Sequence, residues 1–430
     1  MRVFVRSFGC SSNIADGEVL AGCLQDAGFE LVWEAREADI IIYNTCAVKT
    51  PTENRIIEIL RKTPKDKKVV VAGCLPLINF NRLCTEVKFD GVAGPAVGEK
   101  IVDVVKRVAS GEKVVMLEKA KFNMPSLDLP RLRVNPVVGI IPVSYGCLGS
   151  CTYCCVVFAR GTLRSYGVNQ IVNRIRQDLK EGVKEFWLTG QDVACYGRDR
   201  GSSLVDLLGV VQKIEGYKFW VRVGMLKPDN VLPLLDDLVR QYADSKHLFW
   251  FLHVPVQSGD DNTLTRMNRR YNVKDFETII ESFRKACPKI TVATDVIVGF
   301  PGETEEAFEN TMRLISEIKP DIVNISKFFA RPNTKAEKMN GQVPQSLKKQ
   351  RSAKIAALAR QLSLEKNKEW IGWEGKVLID EKGKEEGTFV GRNFAYKPIV
   401  VQGNNNLMGK IVNVRVSGAF QSHLMGEILE

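Results

Sequence analysis

Ser144-Tyr145-Gly146-Cys147-Leu148-Gly149-Ser150-Cys151-Thr152-Tyr153-Cys154 directly follows an apolar run, Val137 to Val143, and puts three cysteines within eight residues. Three thiolates in so short a loop can each hold one iron of a cubane iron–sulfur cluster, which leaves a fourth iron without a protein ligand. That iron is open to the amino and carboxylate groups of S-adenosylmethionine (SAM), an arrangement suited to reductive radical chemistry. The other use of clustered cysteines is structural zinc. Zinc draws paired ligands from two separated knuckles to complete a tetrahedron, and no matching pair lies near this loop. Cys155 adjoins the motif, but the spacing Cys-x3-Cys-x2-Cys fits only Cys147, Cys151 and Cys154.

Outward from this loop, the run before it is the first of six strand-like runs, at about 137–143, 184–189, 219–225, 249–256, 290–298 and 322–329, with helical patterns between them. Repeated βα units of this kind predict an open partial (β/α)6 barrel over 137–344, a relative of the closed eight-unit form. Upstream, VFVRSF, ADIIIYN, KKVVVAG and FDGVAG alternate with amphipathic segments, so residues 1–110 read as an α/β domain on a mostly parallel sheet. Residues 111–136 are charged and punctuated by Pro125, Pro130 and Pro136, and read as a surface linker. Thr50, Pro51 and Glu53 read as the N-cap, first helical residue and capping-box acid of a helix just after Cys46. Thr304 with Glu305 and Glu306 reads as another helix start.

A second cysteine set is dispersed. Cys10, Cys46 and Cys74 each lie at the carboxyl end of an expected strand, and in a parallel sheet those ends share one edge, the usual place for a site in open α/β folds. A single cysteine there is most simply a small buried hydrophobe; three at equivalent positions point to a second metal site. Cys23, Cys84, Cys195 and Cys287 lack this placement and read as packing residues. Eleven cysteines in 430 residues, behind a start that reads as a strand and not an export signal, argue against a disulfide framework. No apolar run approaches the roughly 18 residues needed to span a bilayer, so a cytoplasmic protein without a membrane partner is expected.

The net charge of +11 favours a polyanionic partner. Residues 345–369 form a basic helix bearing Lys348, Lys349, Arg351, Lys354, Arg360, Lys366 and Lys368, readable as an RNA contact or as a face packed on the barrel. Residues 370–430 are β-rich, with turns such as Gln402-Gly403-Asn404, and read as a small β-barrel. Within it, 387–426 holds Arg392, Lys397, Lys410 and Arg415 without Asp or Glu, together with Phe389, Phe394, Tyr396 and Phe420. That mixture can stack bases and neutralise phosphates. A small barrel core needs aromatics too.

FGCSSNIADGE, YNTCAV and AGC, then SYGCLGSCTYCCVVFARGTLRSY, LHVPVQSGDDNTLTRMNRRY and TDVIVGFPGETEEAF, and finally VGRNFAYKPIVV resemble the methylthiotransferases of the radical SAM superfamily over essentially the whole chain. The resemblance implies an auxiliary 4Fe-4S cluster on Cys10, Cys46 and Cys74, a radical SAM barrel whose own 4Fe-4S cluster sits on Cys147, Cys151 and Cys154, and a C-terminal RNA-binding TRAM domain. Gly190, Gln191 and Asp192 match the family's motif for the methionyl amino group of SAM. Arg222, whose planar fork suits a carboxylate, Gln257 and Arg269 are further candidates for SAM contact, and Arg392 and Lys397 for RNA contact; each equally serves as a structural contact. Gly299 and Gly302 need no ligand to explain them, and His253 reads as a satisfied, partly buried histidine.

WLTGQDVACYGRD and RVGMLKP look most like the archaeal and eukaryotic branch acting on N6-threonylcarbamoyladenosine in tRNA. As the resemblance implies, cleavage of SAM gives a 5′-deoxyadenosyl radical that takes hydrogen from C2 of the adenine. Sulfur is delivered at the auxiliary cluster and a second SAM supplies methyl, so tRNA, a low-potential electron donor and a sulfur donor are the expected partners. The six cysteines are shared with branches acting on isopentenyladenosine and on a ribosomal protein, which both stay open. A non-catalytic RNA-binding protein with structural metal sites is the remaining alternative, and the cysteine loop after a barrel strand speaks against it.

Overall fold

Ile40 to Thr45 is buried at every position, as a central strand covered on both faces must be. The computed structural model describes residues 1–46, 48–403 and 407–429, so Asn404 of the Gln402-Gly403-Asn404 turn lies outside the described residues. The N-terminal domain is a wholly parallel sheet of β1 (Arg2–Ser7), β2 (Glu30–Leu31), β3 (Ile40–Thr45), β4 (Lys68–Gly73), β5 (Gly91–Ala93) and β6 (Val114–Met116), ordered β2-β1-β3-β4-β5-β6. Because β1, β3 and β4 adjoin, their carboxyl ends lie side by side. The short edge strands carry too few residues to show a pattern. β6 falls within the stretch expected as linker, where Val114 is buried in the sheet's core. The rest of that stretch clamps two domains: Leu132 donates to Glu18 O at 2.9 Å and Arg131 to Ile140 O at 3.0 Å.

The helix after Cys46 runs Thr50–Lys62, with Lys49 and not Thr50 at the N-cap position and no side-chain cap there. The expected capping acid, Glu53, is 1% exposed and its carboxylate accepts from Arg82 and Arg331 instead. Tertiary ion pairing has displaced the local cap.

Past β7 (Val138–Pro142), the short antiparallel pair β8 (Ser144–Tyr145) and β9 (Arg164–Ser165) brackets the cysteine loop. β10 (Glu185–Thr189), β11 (Trp220–Val223), β12 (Phe251–His253), β13 (Thr291–Val298) and β14 (Ile322–Lys327) complete six parallel strands with β7. They form two groups, β11-β10-β7 and β12-β13-β14, joined where Val221 bridges Leu248. This is the open partial barrel expected. Phe186, Leu188, Val221 and Val223 pack outward with Ile171, Ile175, Leu204 and Leu207 of the surrounding helices. The N-terminal domain's helix Ser11–Asp26 lays Ala15 against Val138 and Ile140 of β7. Thr304 caps the helix Glu305–Ile318 by accepting from Ala307 N. Gly299 has φ +74°, and a side chain there would meet Lys348, so the chain's own packing accounts for it.

The basic helix Gln345–Lys368 packs on the barrel through Ile355 and Leu362. Arg351 is 2% exposed and spent on Glu303 and Glu305. Beyond it, β15 (Glu374–Lys382), β16 (Thr388–Arg392), β17 (Pro398–Gln402), β18 (Ile411–Ala419) and β19 (Leu424–Ile428) close into a barrel of order β15-β16-β17-β19-β18. Phe389 and Tyr396 are buried and Phe394 packs on the small barrel's core, so of the aromatics weighed as base-stackers only Phe420 is exposed. Cys23, Cys195 and Cys287 are buried as expected; Cys84 is exposed, which corrects its reading as a packing residue. Among the described residues no helix is long and apolar enough to cross a membrane.

Candidate active site

The cysteine loop is pinned on two sides. Gly146 N donates to Gln191 Oε1 at 2.6 Å from the loop after β10, while Thr152 N donates to Met267 O at 3.1 Å and Asn268 Nδ2 to Ser150 O at 2.8 Å. Between the first two thiols lies Gly149, whose N donates to Cys147 Sγ at 3.1 Å. A Cβ there would sit 3.2 Å from Cys147 Sγ and 3.7 Å from Cys151 Sγ, filling the space the loop keeps open. Burial pushes Cys147 up to about 11 and Cys154 up to about 12, with the neighbouring thiols adding to both. Iron binding would have to displace those protons, since the thiolate is the ligand.

The second trio sits at the adjoining strand ends. Cys10 stands at the N-cap of helix Ser11–Asp26, Cys46 follows β3, and Cys74 follows β4 with its N–H on Thr45 O at 2.9 Å. Cys46 and Cys74 are buried and Cys10 is exposed. Burial raises Cys74 to about 12 and raises Cys46; Cys10 and Cys46 both bear on Cys74, so the three are electrostatic neighbours. Among the described residues no three His, Cys, Asp or Glu side chains converge to hold a single metal ion. Each trio is an all-thiol donor set, which is what an iron–sulfur cube takes.

A cavity of about 260 Å³ opens where the loop after Cys46 meets the barrel's cysteine loop. Val48 and Lys49, from the loop after Cys46, line one side; Tyr153, Cys154, Cys155 and Val156 of the barrel's cysteine loop line another; Gln257, Asp295, Ile297, Lys327 and Phe328 come from the strand ends. Asp295 is held by His253 Nε2 at 3.1 Å and Asn324 Nδ2 at 2.9 Å. Burial works against its charge, yet the His253 bond and the Asn324 bond keep it below the usual carboxylate value.

Residues 141–315 match the Radical SAM superfamily, residues 370–429 the TRAM domain, and residues 2–94 a family described as Uncharacterized protein family UPF0004. A Pyrococcus abyssi protein named a probable threonylcarbamoyladenosine tRNA methylthiotransferase is 40% identical over 431 residues, covering 100% of both chains. The human threonylcarbamoyladenosine tRNA methylthiotransferase is 35% identical over 432 residues, 99% of this chain and 74% of its own. The chain belongs to the threonylcarbamoyladenosine tRNA methylthiotransferase family. In fold it is similar to the radical SAM methyltransferase TsrM of Kitasatospora setae, with a TM-score of 0.59 at 15% identity over 78% of this chain and 73% of that one.

Membership of the radical SAM superfamily implies a 4Fe-4S cluster and SAM, and the pinned, all-thiol loop with its open Gly149 fits the cluster. The family's candidate SAM residues divide. Gly190 and Gln191 lie beside the cysteine loop, Gln257 lines the cavity with φ +69°, and Arg269 bonds Tyr153 Oη and lies over that ring at 5.5 Å. Asp192 is different: it is 1% exposed and its carboxylate is consumed by Ala194 N and Lys227 N, both at 3.1 Å, and by Asn230 Nδ2 at 2.6 Å. Its side chain braces two barrel loops. Arg222 is boxed by the rings of Trp187, Phe251 and Tyr396 at 5.2, 4.9 and 5.2 Å, facing the C-terminal barrel and not the cysteine loop.

The two candidate RNA contacts are likewise corrected. Lys397 is 4% exposed, with Nζ on Asp321 at 2.7 Å and Asn367 at 2.9 Å. Arg392 is paired with Asp380 at 3.2 Å and lies over Tyr396 at 5.0 Å. In a family with a TRAM domain these cations hold the domain down. Sequence reasoning missed Lys49, Lys327, Asp295 and Arg160. The first two are ordinary lysines in sequence, and only the meeting of two domains shows what they face; Arg160, directly after the cysteine loop in VVFARG, carried the one visible signal.

Proposed function

We propose that this chain converts N6-threonylcarbamoyladenosine next to the anticodon of tRNA to its 2-methylthio derivative, using a 4Fe-4S cluster on Cys147, Cys151 and Cys154 and a second on Cys10, Cys46 and Cys74. The observation that carries the reading is one cavity lined at once by the loop after Cys46 and by Cys154. With SAM on the barrel cluster, the site supplies a 5′-deoxyadenosyl radical able to take hydrogen from C2, a carbon inert to acid–base chemistry. The polypeptide's part is to seat the base and keep water out, which Val48, Val156, Ile297 and Phe328 do with apolar walls.

Lys49 and Lys327 add positive charge to the same walls. Asp295 is already held by His253 and Asn324, and Arg331 is already paired with Glu53. Lys49 also bears on Asp295, and Lys327 is the lysine left to meet the carboxylate that a threonylcarbamoyl group carries and an isopentenyl group lacks. An overall charge of +11 suits folded tRNA. The reaction also needs a low-potential electron donor and a sulfur donor, and its place is the cytoplasm, where tRNA is modified.

The test uses anaerobically reconstituted enzyme and mass spectrometry of nucleosides. Threonylcarbamoylated tRNA should be methylthiolated, and the same transcript lacking that group or bearing isopentenyladenosine should not. Modification of isopentenyladenosine instead would move the chain to the sister branch; modification of a ribosomal protein alone would overturn the tRNA reading.

A further inference from the structure

Arg160 ends the short helix Val156–Arg160 that follows the barrel's cysteine loop, yet its guanidinium is 2% exposed and reaches the N-terminal domain. One Nη2 hydrogen bonds Asp16 Oδ2 at 2.7 Å. The group lies over the ring of Tyr145 at 5.5 Å, and the Tyr145 hydroxyl donates to Asp16 Oδ1 at 2.8 Å. Asp16 belongs to the helix that Cys10 opens. The guanidinium is thus fixed from both domains, and its plane is set.

Nη1 of Arg160 is buried and has no partner among the described residues. A buried charged donor left unmatched is costly, so it calls for an acceptor that the polypeptide does not provide. The packing shows where that acceptor would lie: Ala159, next to Arg160 on the same helix, packs in one cluster with Cys74 and Leu75 at the end of β4. The Cys74 and Cys10 thiols bear on the Arg160 charge, and Arg160 bears in turn on Cys46 and Cys74.

We propose that Arg160 is a positioning residue for the auxiliary cluster: its Nη1 donates to the sulfur edge of a cluster held by Cys10, Cys46 and Cys74, and its charge raises that cluster's reduction potential. The inference rests on the two-cluster reading above. Reduction adds negative charge, and a fixed cation and a hydrogen bond to sulfur both favour the more negative state. Asp16 and Tyr145 are the clamp. Because Arg160 lies six residues after Cys154, the segment that carries the barrel's thiols also carries the tuning charge of the other site.

The experiment uses the full chain with Cys147, Cys151 and Cys154 replaced by alanine, reconstituted anaerobically so that the auxiliary cluster alone is present, and titrates it by EPR. Adding Arg160→Gln should lower the reduced-to-oxidised ratio at fixed potential about tenfold, a shift of about 59 mV for one electron. Arg160→Lys, which keeps the charge, should recover most of that loss. An unchanged potential at unchanged iron content overturns the proposal. A triple-alanine chain that binds no iron overturns the two-cluster reading, and this one with it. Should Arg160→Gln not fold, 15N-labelled arginine in the triple-alanine chain should give nitrogen hyperfine coupling to the reduced cluster, and its absence overturns the assignment.

Discussion

At the amino ends of its strands the central barrel meets the C-terminal barrel through matched groups: Lys397 on Asp321 at 2.7 Å, Tyr396 Oη on Glu185 at 3.1 Å, and Lys184 Nζ on Gly409 O at 2.6 Å. At the carboxyl ends it meets the N-terminal domain through Arg160 on Asp16 and Arg331 on Glu53, where Nη1 of the first and Nε of the second stay buried without a partner among the described residues, close to cysteine thiols. Both junctions bury cations, and both leave polar atoms without a partner among the described residues, Arg222 Nε and Glu185 Oε2 at the first, the joint between the two barrels. What sets the second apart is its company: the thiols of Cys10, Cys46 and Cys74 stand beside its cations.

Exchanging cysteines breaks the comparison hardest. Replacing Cys147, Cys151 and Cys154 by alanine should leave about half of about eight irons and abolish reductive SAM cleavage. The same change at Cys10, Cys46 and Cys74 should spare cleavage to 5′-deoxyadenosine and abolish methylthiolation. Iron assay with product analysis decides it, and a barrel-site triple variant that kept all its iron would sink the assignment.

At the joint, Lys397→Ala should cost about 3–5 kcal/mol, the usual penalty for stranding one partner of a buried pair, here Asp321. Denaturant unfolding measures it. If Lys397 instead served tRNA phosphate, stability would hold and the log–log salt dependence of tRNA binding would flatten by roughly 0.7 to 0.9.

How much of this was legible in sequence differs between the two junctions for a physical reason. Strand periodicity placed Cys10, Cys46 and Cys74 at strand ends, and the parallel order β1-β3-β4 does the rest. The cysteine loop announced itself by spacing. Lys397, Arg392 and Asp192 stayed open between ligand and structural contact because a charge in a β-rich tail or a barrel loop looks the same whether it ends in water, on RNA or on a buried partner. Only the register of a distant segment, Asp321 for Lys397 or Asn230 for Asp192, tells these apart.

The joint should also respond to pH. Burial first, then the negative charge of Asp380, raises Glu185, and burial raises Asp380 as well. A carboxyl raised in the folded state contributes its stability in full below its unfolded value of 4.5 and loses it as pH rises through about 8. Melting temperature should therefore fall across that window, and Glu185→Gln, which carries its own proton donor, should flatten the dependence. A wild-type profile already flat there would show that Glu185 is not held protonated in the fold.

The smallest expected effect probes the site from the substrate's side. Lys49 is exposed and Lys327 half-buried, and both line the cavity beside Cys154. Partly solvated ion pairs are weak, so Lys327→Ala should lower kcat/KM for threonylcarbamoylated tRNA roughly fivefold, about 1 kcal/mol, and Lys49→Ala by less. The informative comparison is with a substrate whose threonyl carboxylate is masked as a methyl ester. If the lysines act on that charge, the ester should already be the poorer substrate for wild-type enzyme, and Lys327→Ala should then cost nothing further, because the partner is gone. Equal losses on acid and ester would mean that Lys327 only shapes the wall. Lys327→Glu separates these outcomes again: it should repel the acid well beyond the alanine variant and leave the ester near the alanine level.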